Sequence, residues 1–141
     1  MTNKQYEVKE YLSQAYYSEI KIDACLNELE RIRAKMTRTA SLVIVGKNDG
    51  MKKNKTEELI YKYYDYIQKL EKTIDEQNDK LIKINDVIAK VENEKYNSIL
   101  FLRYIQHKKW EDIAKMLQYD NRYLMKLHIG ALNEIIKLKA I

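Results

Sequence analysis

Residues 110–135 read WEDIAKMLQYDNRYLMKLHIGALNEI, and this stretch decides the fold of the C-terminal part of the chain. Its apolar residues recur three and four positions apart, which is the spacing of one buried helix face. Asp120 stands between two such groups and is a good helix N-cap. We therefore predict helices over residues 110–117 and 121–137, preceded by an apolar helix over 93–105, with turns at 106–109 and 118–120.

Two short helices that cross at a tight turn, with a third helix behind them, form the arrangement of a helix-turn-helix module. In such modules the second helix enters the major groove of DNA and its N-terminal residues contact base edges. The outward positions at the start of this helix are Asn121, Arg122, Met125, Lys126 and, further round, His128. Arg and Lys can bind guanine edges, Asn can bind adenine, and Met offers only an apolar contact.

Residues beside the recognition helix are candidates for contacts with the DNA backbone. Lys108 and Lys109 precede the first short helix, whose amide end can also bind phosphate. Tyr123 flanks the turn and is a further candidate for the backbone. His128 is expected to face DNA or solvent.

Residues 102–132, LRYIQHKKWEDIAKMLQYDNRYLMKLHIGAL, resemble region 4 of sigma-70-type factors, the module that reads the −35 promoter element. They are more similar still to small regulators of Gram-positive phages and prophages, through the runs Trp110–Ala114 and Arg122–Leu132. This resemblance extends more weakly over the N-terminal helices. It implies duplex DNA as a partner, contacted at Asn121, Arg122, Met125 and Lys126.

Three positions depart from the sigma pattern. Gln118 replaces the usual glycine of the turn, which predicts a less tight turn, and Asp120 replaces the usual Ser or Thr cap. Met125 stands where sigma factors place a polar or basic residue. The base preference of the family therefore does not carry over to this chain.

The N-terminal part of the chain has the heptad pattern of a coiled coil. In the first helix, from about Asn3 to Thr39, the stripe is Val8, Tyr11, Ala15, Ser18, Ile22, Cys25, Leu29, Ile32 and Met36. In the second, which opens near residues 54–56, it is Ile60, Tyr63, Ile67, Leu70, Ile74, Gln77, Leu81, Ile84, Ile88 and Val91. The β-branched and turn-forming residues between them predict a connection over 40–55, with or without a short extended piece.

The fold prediction is all-α: a long antiparallel coiled-coil hairpin, residues 1–91 with its loop at 40–55, followed by a three-helix helix-turn-helix domain, residues 92–141. The absence of proline and the presence of only three glycines favour such long helices. Tyr64, Ile82 and Val87 lie off the main stripe and are expected to pack on the C-terminal domain or on a second copy.

Composition narrows the classes of function. The net charge is +5, with a basic excess in residues 1–55 and 91–141 and an acidic excess in 56–90, which favours a DNA surface near an end of the chain. Cys25 is the sole cysteine, so intrachain disulfides and cysteine-based zinc clusters are excluded. We find no phosphate-binding glycine loop, nucleophile–base pair or paired carboxylates, and predict neither catalytic residues, metal, cofactor nor small-molecule substrate.

These observations lead to one main hypothesis and one alternative. The main hypothesis is a cytoplasmic transcription regulator, in a bacterial host cell, that binds double-stranded DNA and contacts RNA polymerase or a second copy of itself through the hairpin. A homodimer is expected because a single module of this kind usually needs a partner for specificity. The alternative is a helical protein-interaction module that does not bind DNA. No segment is apolar for the ~20 residues that a membrane span needs.

Overall fold

The computed structural model describes the backbone of residues 1–44 and 50–141 and the side chains of 1–42 and 54–141. These ranges contain helices and no strand, so the predicted all-α class is confirmed. Helix α1 spans Asn3–Ile44 and α2 spans Gly50–Ala89. Helix α3 spans Glu94–Leu100 and continues into one π-helical turn, Phe101–Ile105, and α4 and α5 span Trp110–Leu117 and Asn121–Leu138.

The start of α1 is fixed by a reciprocal pair of hydrogen bonds. The Gln5 backbone N–H donates to Thr2 Oγ1 at 3.3 Å, and the Thr2 N–H donates to Gln5 Oε1 at 3.0 Å. This capping box satisfies two of the backbone donors that a helix N-terminus leaves without partners. The helix therefore begins where the sequence predicts.

The predicted connection over residues 40–55 is wrong where the structure describes it, because 40–44 continue α1 and 50–55 begin α2. Residues 45–49 lie outside the described residues. The hydroxyls of Thr37, Thr39 and Ser41 each donate to the carbonyl four residues earlier, at 2.9–3.0 Å. Their polar groups are satisfied within the helix, and β-branched residues cost less than ~1 kcal/mol each there.

The heptad prediction for both long helices is confirmed, since every residue of the two stripes is buried or half-buried. Near the start of α1, residues 8–15 pack with residues 84–88 of α2 and with Val91, two residues beyond its end. Further along, residues 25–36 of α1 pack with residues 63–74 of α2. The two helices therefore run antiparallel, as predicted.

The chain packs into two compact units, and α1 and α2 contribute to both. Unit 2 comprises residues 20–78. Its core is formed by Cys25, Leu29, Ile32, Ile67 and Leu70. At its surface Arg33 pairs with Glu71 at 3.0 Å, and the Tyr66 hydroxyl donates to Glu28 at 2.8 Å.

Unit 1 comprises residues 1–19 and 79–141, so it groups the first turns of α1 and the last turns of α2 with the C-terminal helices. This grouping differs from the predicted division of the chain after residue 91. Its larger core contains Val8, Leu12, Ala15, Ile84, Val87, Ile88, Val91, Leu100, Tyr104, Ala131, Leu132 and Ile135. Val87, which lies off the heptad stripe, thus packs against the C-terminal helices, one of the two outcomes expected for it.

Two amide side chains join the elements of unit 1. Asn97 Nδ2 donates to the carbonyls of Ile88 and Val91 at 3.0 and 3.2 Å. Carbonyls at a helix C-terminus lack partners within the helix, so Asn97 satisfies the end of α2 from α3. At the other side, Gln5 Nε2 donates to Asn133 Oδ1 of α5 at 2.7 Å.

Ile84 and Ile82 provide a matched test of this packing, because they lie two residues apart in unit 1 with 1% and 58% of their surfaces exposed. We expect Ile84→Ala to lower the free energy of unfolding of unit 1 by about 2–5 kcal/mol, since it leaves a cavity. Ile82→Ala should change it by less than about 0.5 kcal/mol. Urea unfolding followed by the fluorescence of Trp110, the sole tryptophan, measures both. Equal losses in the two variants would contradict this core.

Candidate nucleic-acid interface

Helices α4 and α5 are joined by a turn of three residues, 118–120. Gln118 adopts the left-handed conformation, with φ 58° and ψ 41°, and the Tyr119 N–H donates to the Ala114 carbonyl at 3.0 Å. The Asp120 carboxylate then accepts from the Tyr123 N–H at 2.7 Å. The predicted bounds of both helices and the Asp120 cap are therefore confirmed, with α5 ending one residue later than predicted.

A small apolar cluster holds α4 and α5 against α3. Ile99, Ile113 and Leu124 form its centre and are fully buried. Leu102, Trp110, Ala114, Leu117, Tyr119, Met125 and Leu127 pack around it. Because the inner faces of both helices are buried here, the opposite faces are left at the surface.

The structure places most of the predicted contact residues at the surface. Asn121, Arg122, Tyr123 and Lys126 are exposed on the first two turns of α5, and Lys108 and Lys109 are exposed just before α4. Met125 is half-buried against the Ile99 cluster, so only part of its side chain is available to a ligand. The first half of α5 thus presents one amide and two cationic side chains outward.

His128 is a correction to the predicted site, since it is 4% exposed and lies inside unit 1. Its Nε2 is 2.7 Å from the Tyr104 hydroxyl, and its ring packs edge-on against Trp110, with 4.6 Å between ring centroids. Position 128 follows Leu124 by four residues and precedes Ala131 by three, so it shares their buried face. The helical spacing itself could have placed His128 inside.

Burial fixes the protonation of this histidine–tyrosine pair. It lowers the pKa of His128 from its ordinary 6.5 to about 4, with Lys9 and Arg103 as smaller causes. The same burial raises the pKa of Tyr104. At neutral pH the tyrosine therefore keeps its proton and the imidazole is uncharged, so the 2.7 Å contact is a hydrogen bond between two neutral groups.

Two cationic residues near the predicted site were missed by the sequence reasoning. Lys95 of α3 donates from Nζ to the Tyr123 hydroxyl at 3.3 Å, and this hydrogen bond raises the pKa of Lys95. Arg103, on the π-helical turn, donates to the Lys108 carbonyl at 3.0 Å and lies 4.8 Å from the centre of the Trp110 ring. The Lys95–Tyr123 contact joins residues 28 positions apart, which are neighbours only in the folded chain.

Carboxylates also lie on this surface. Glu111 and Asp112 are exposed in the first turn of α4, and Asp120 is exposed at the start of α5. Negative groups in these places stabilise helix N-termini. They also offset part of the positive charge of Lys108, Lys109, Arg122 and Lys126.

The part of the chain that the structure describes contains no group of three or more His, Cys, Asp or Glu side chains placed to hold a metal ion. None of its described helices has a stretch apolar and long enough to traverse a bilayer. Comparison with family models, with curated proteins and with solved structures gave no match.

The left-handed backbone conformation of Gln118 leads to a prediction about the stability of the fold. A residue with a Cβ pays about 1–2 kcal/mol in this conformation and glycine pays almost none, although glycine loses more entropy on folding. We expect Gln118→Gly to raise the free energy of unfolding by about 1 kcal/mol, and Gln118→Ala to leave it unchanged or lower it. Urea unfolding measures both, and a loss of stability with glycine would show that the Gln118 side chain contributes more than its conformation costs.

The burial of His128 leads to a prediction about how the free energy of unfolding depends on pH. Because its pKa is lower in the folded chain than in the unfolded chain, its contribution is fully present above pH 6.5 and is lost as the pH falls towards about 4. Between pH 7 and 5 this amounts to about 2 kcal/mol, at 1.4 kcal/mol per pKa unit. Urea unfolding of His128→Gln should show a pH dependence that is smaller by this amount. Identical pH dependence in the two proteins would contradict the buried, neutral state.

Proposed function

We propose that the protein is a transcription regulator of the phage or prophage type that binds duplex DNA with the first half of α5 in the major groove. The observation that carries this proposal is the outward face of a capped helix, which presents Asn121, Arg122 and Lys126. The inward face of the same helix is buried, so these three side chains are free to approach another molecule together.

The chemistry of the exposed residues suits base edges. The Arg122 guanidinium and the Lys126 ammonium can donate to guanine O6 and N7, and the Asn121 amide can pair with adenine N6 and N7. Met125, half-buried, can offer a thymine methyl only part of its side chain. The resemblance of residues 102–132 to sigma region 4 assigns these same positions to DNA contact.

Contacts with the DNA backbone would come from residues on both sides of α5. Lys108 and Lys109 precede α4, and Tyr123 lies beside Lys95 on the other side. Such contacts set the register of a protein on the duplex without reading its sequence. Every phosphate that they neutralise releases counterions, which makes the affinity depend on salt.

The same proposal includes the protein partners of the regulator and its location in the cell. The regulator acts in the cytoplasm of a bacterial host, and its long helices bind RNA polymerase or a second copy of the chain. On unit 2, Leu26, Tyr61 and Tyr64 are exposed although they are large and apolar or aromatic, as is common at protein interfaces. These exposed side chains also favour the alternative, a protein-interaction module that does not bind DNA.

A salt titration with duplex DNA distinguishes the two functions. We expect binding at low salt that weakens steeply as salt increases. The double variant Arg122→Ala with Lys126→Ala should bind at least about tenfold more weakly, since each base contact is worth about 1–3 kcal/mol. The matched control, Lys21→Ala with Lys62→Ala, removes two exposed cations of unit 2 and should bind like the unchanged protein.

A single phosphate contact can be tested in the same assay. Lys108→Gln should weaken binding to all sequences alike and reduce the salt slope by about one. No binding to any duplex at low salt would overturn DNA binding and favour the interaction module. Binding that is unchanged in the Arg122 and Lys126 double variant would overturn the assignment of α5.

A further inference from the structure

A pocket of about 390 Å³ lies in unit 1, and none of its lining residues belongs to α5. It is lined by Ser13, Tyr16 and Tyr17 of α1, by Arg103 and Tyr104 of the π-helical turn, and by His107 and Lys109 of the following loop. Its volume falls within the roughly 300–1,000 Å³ of pockets that bind small molecules. The DNA-binding proposal uses only Lys109 from this set.

One part of the lining is cationic. Arg103 and Lys109 bring positive charge to the pocket, beside the imidazole of His107. In the part of the chain that the structure describes, the Arg103 guanidinium makes one hydrogen bond, to the Lys108 carbonyl at 3.0 Å. A guanidinium has five N–H donors in a planar fork that matches phosphate oxygens, so donors remain for an anion.

Another part of the lining is aromatic and faces solvent. The Tyr16 and Tyr17 rings are 50% and 69% exposed, and their centroids lie 5.6 Å apart. The Tyr16 ring also packs edge-on against the His107 ring, at 5.4 Å. Exposed aromatic faces beside cationic groups are the combination that holds a nucleotide, because the ring stacks while the phosphate pairs with the charges.

The loop that carries His107 is held in an unusual conformation. His107 has a φ of 57°, a left-handed value that a residue with a Cβ adopts at a cost. Its Nε2 is buried 3.2 Å from a Glu19 carboxylate oxygen, but it is not aligned for a hydrogen bond and has no such partner among the described residues. Backbone strain of this kind is concentrated at ligand sites.

We propose that this pocket binds a small anionic ligand that carries a flat ring, of the nucleoside monophosphate class. The phosphate lies against Arg103, Lys109 and His107, and the ring stacks on Tyr16 or Tyr17. The Glu19 carboxylate beside His107 disfavours a more highly charged anion. This inference goes beyond DNA binding and does not rest on it.

The test is isothermal titration calorimetry of the full chain with AMP and UMP, and with adenosine and inorganic phosphate as partial ligands. We expect at least one nucleotide to bind about tenfold or more tightly than either partial ligand. Tyr17→Ala and Lys109→Gln should each weaken that binding about tenfold, since stacking on one aromatic ring is worth about 1–3 kcal/mol. Tyr61→Ala and Lys90→Gln, which change an exposed tyrosine and an exposed lysine outside the pocket, are the matched controls for nucleotide binding.

Three results would overturn the proposal. The first is no binding of AMP or UMP at millimolar concentration, and the second is inorganic phosphate that binds as tightly as the nucleotides. The third is a chain that binds no nucleotide but whose binding to duplex DNA is weakened by Tyr17→Ala. That result would make the pocket part of a DNA-binding surface. Nucleotide binding in a chain that fails to bind any duplex would leave this inference standing while the proposed function falls.

Discussion

Burial of one face of α5 is the constraint on which the rest of unit 1 depends. Leu124 closes the cluster beneath α4, and Ala131, Leu132 and Ile135 enter the core formed with the ends of α1 and α2. Each fully buried Leu or Ile contributes roughly 1.5–3 kcal/mol, so rotating this helix about its axis would forfeit several such contributions. Burial of the inward residues therefore fixes which residues of α5 face outward. For that reason Asn121, Arg122 and Lys126 share a surface.

The Tyr104–His128 hydrogen bond adds specificity to this burial. A histidine on an apolar face is costly unless its ring nitrogens find partners, and the π-helical turn directs Tyr104 inward to meet it. Trp110 packs against the same imidazole, so the π-helical turn, α4 and α5 meet at one polar group. Apolar contacts alone would allow α5 to slide along the π-helical turn. The 2.7 Å hydrogen bond between Tyr104 and His128 instead fixes one relative position of the two elements.

The sequence predicts those parts of the structure that depend on local chemistry. Heptad spacing identifies the buried stripes of α1 and α2, and the capping residue Asp120 locates the start of α5. The prediction fails where the differences in helix propensity are small, as at residues 40–44, where the backbone continues α1. The prediction of an exposed His128 is wrong because position 128 shares the buried helix face of Leu124 and Ala131 although its side chain is polar. The pocket beside Arg103 joins residues some 90 positions apart, which periodicity cannot relate.

Carboxylates on the proposed DNA-binding surface have opposite effects on the stability of the fold and on the affinity for DNA. Asp120 caps α5 and Glu111 and Asp112 lie in the first turn of α4, so each favours its helix. In a DNA complex the same carboxylates would stand near phosphates and oppose Lys108, Lys109 and Arg122. These three carboxylates reduce, without cancelling, the attraction of Lys108, Lys109, Arg122 and Lys126 for the phosphates. If the protein binds DNA as we propose, the remaining affinity must therefore come from a second module, which a second copy of the chain or a polymerase-bound complex would supply.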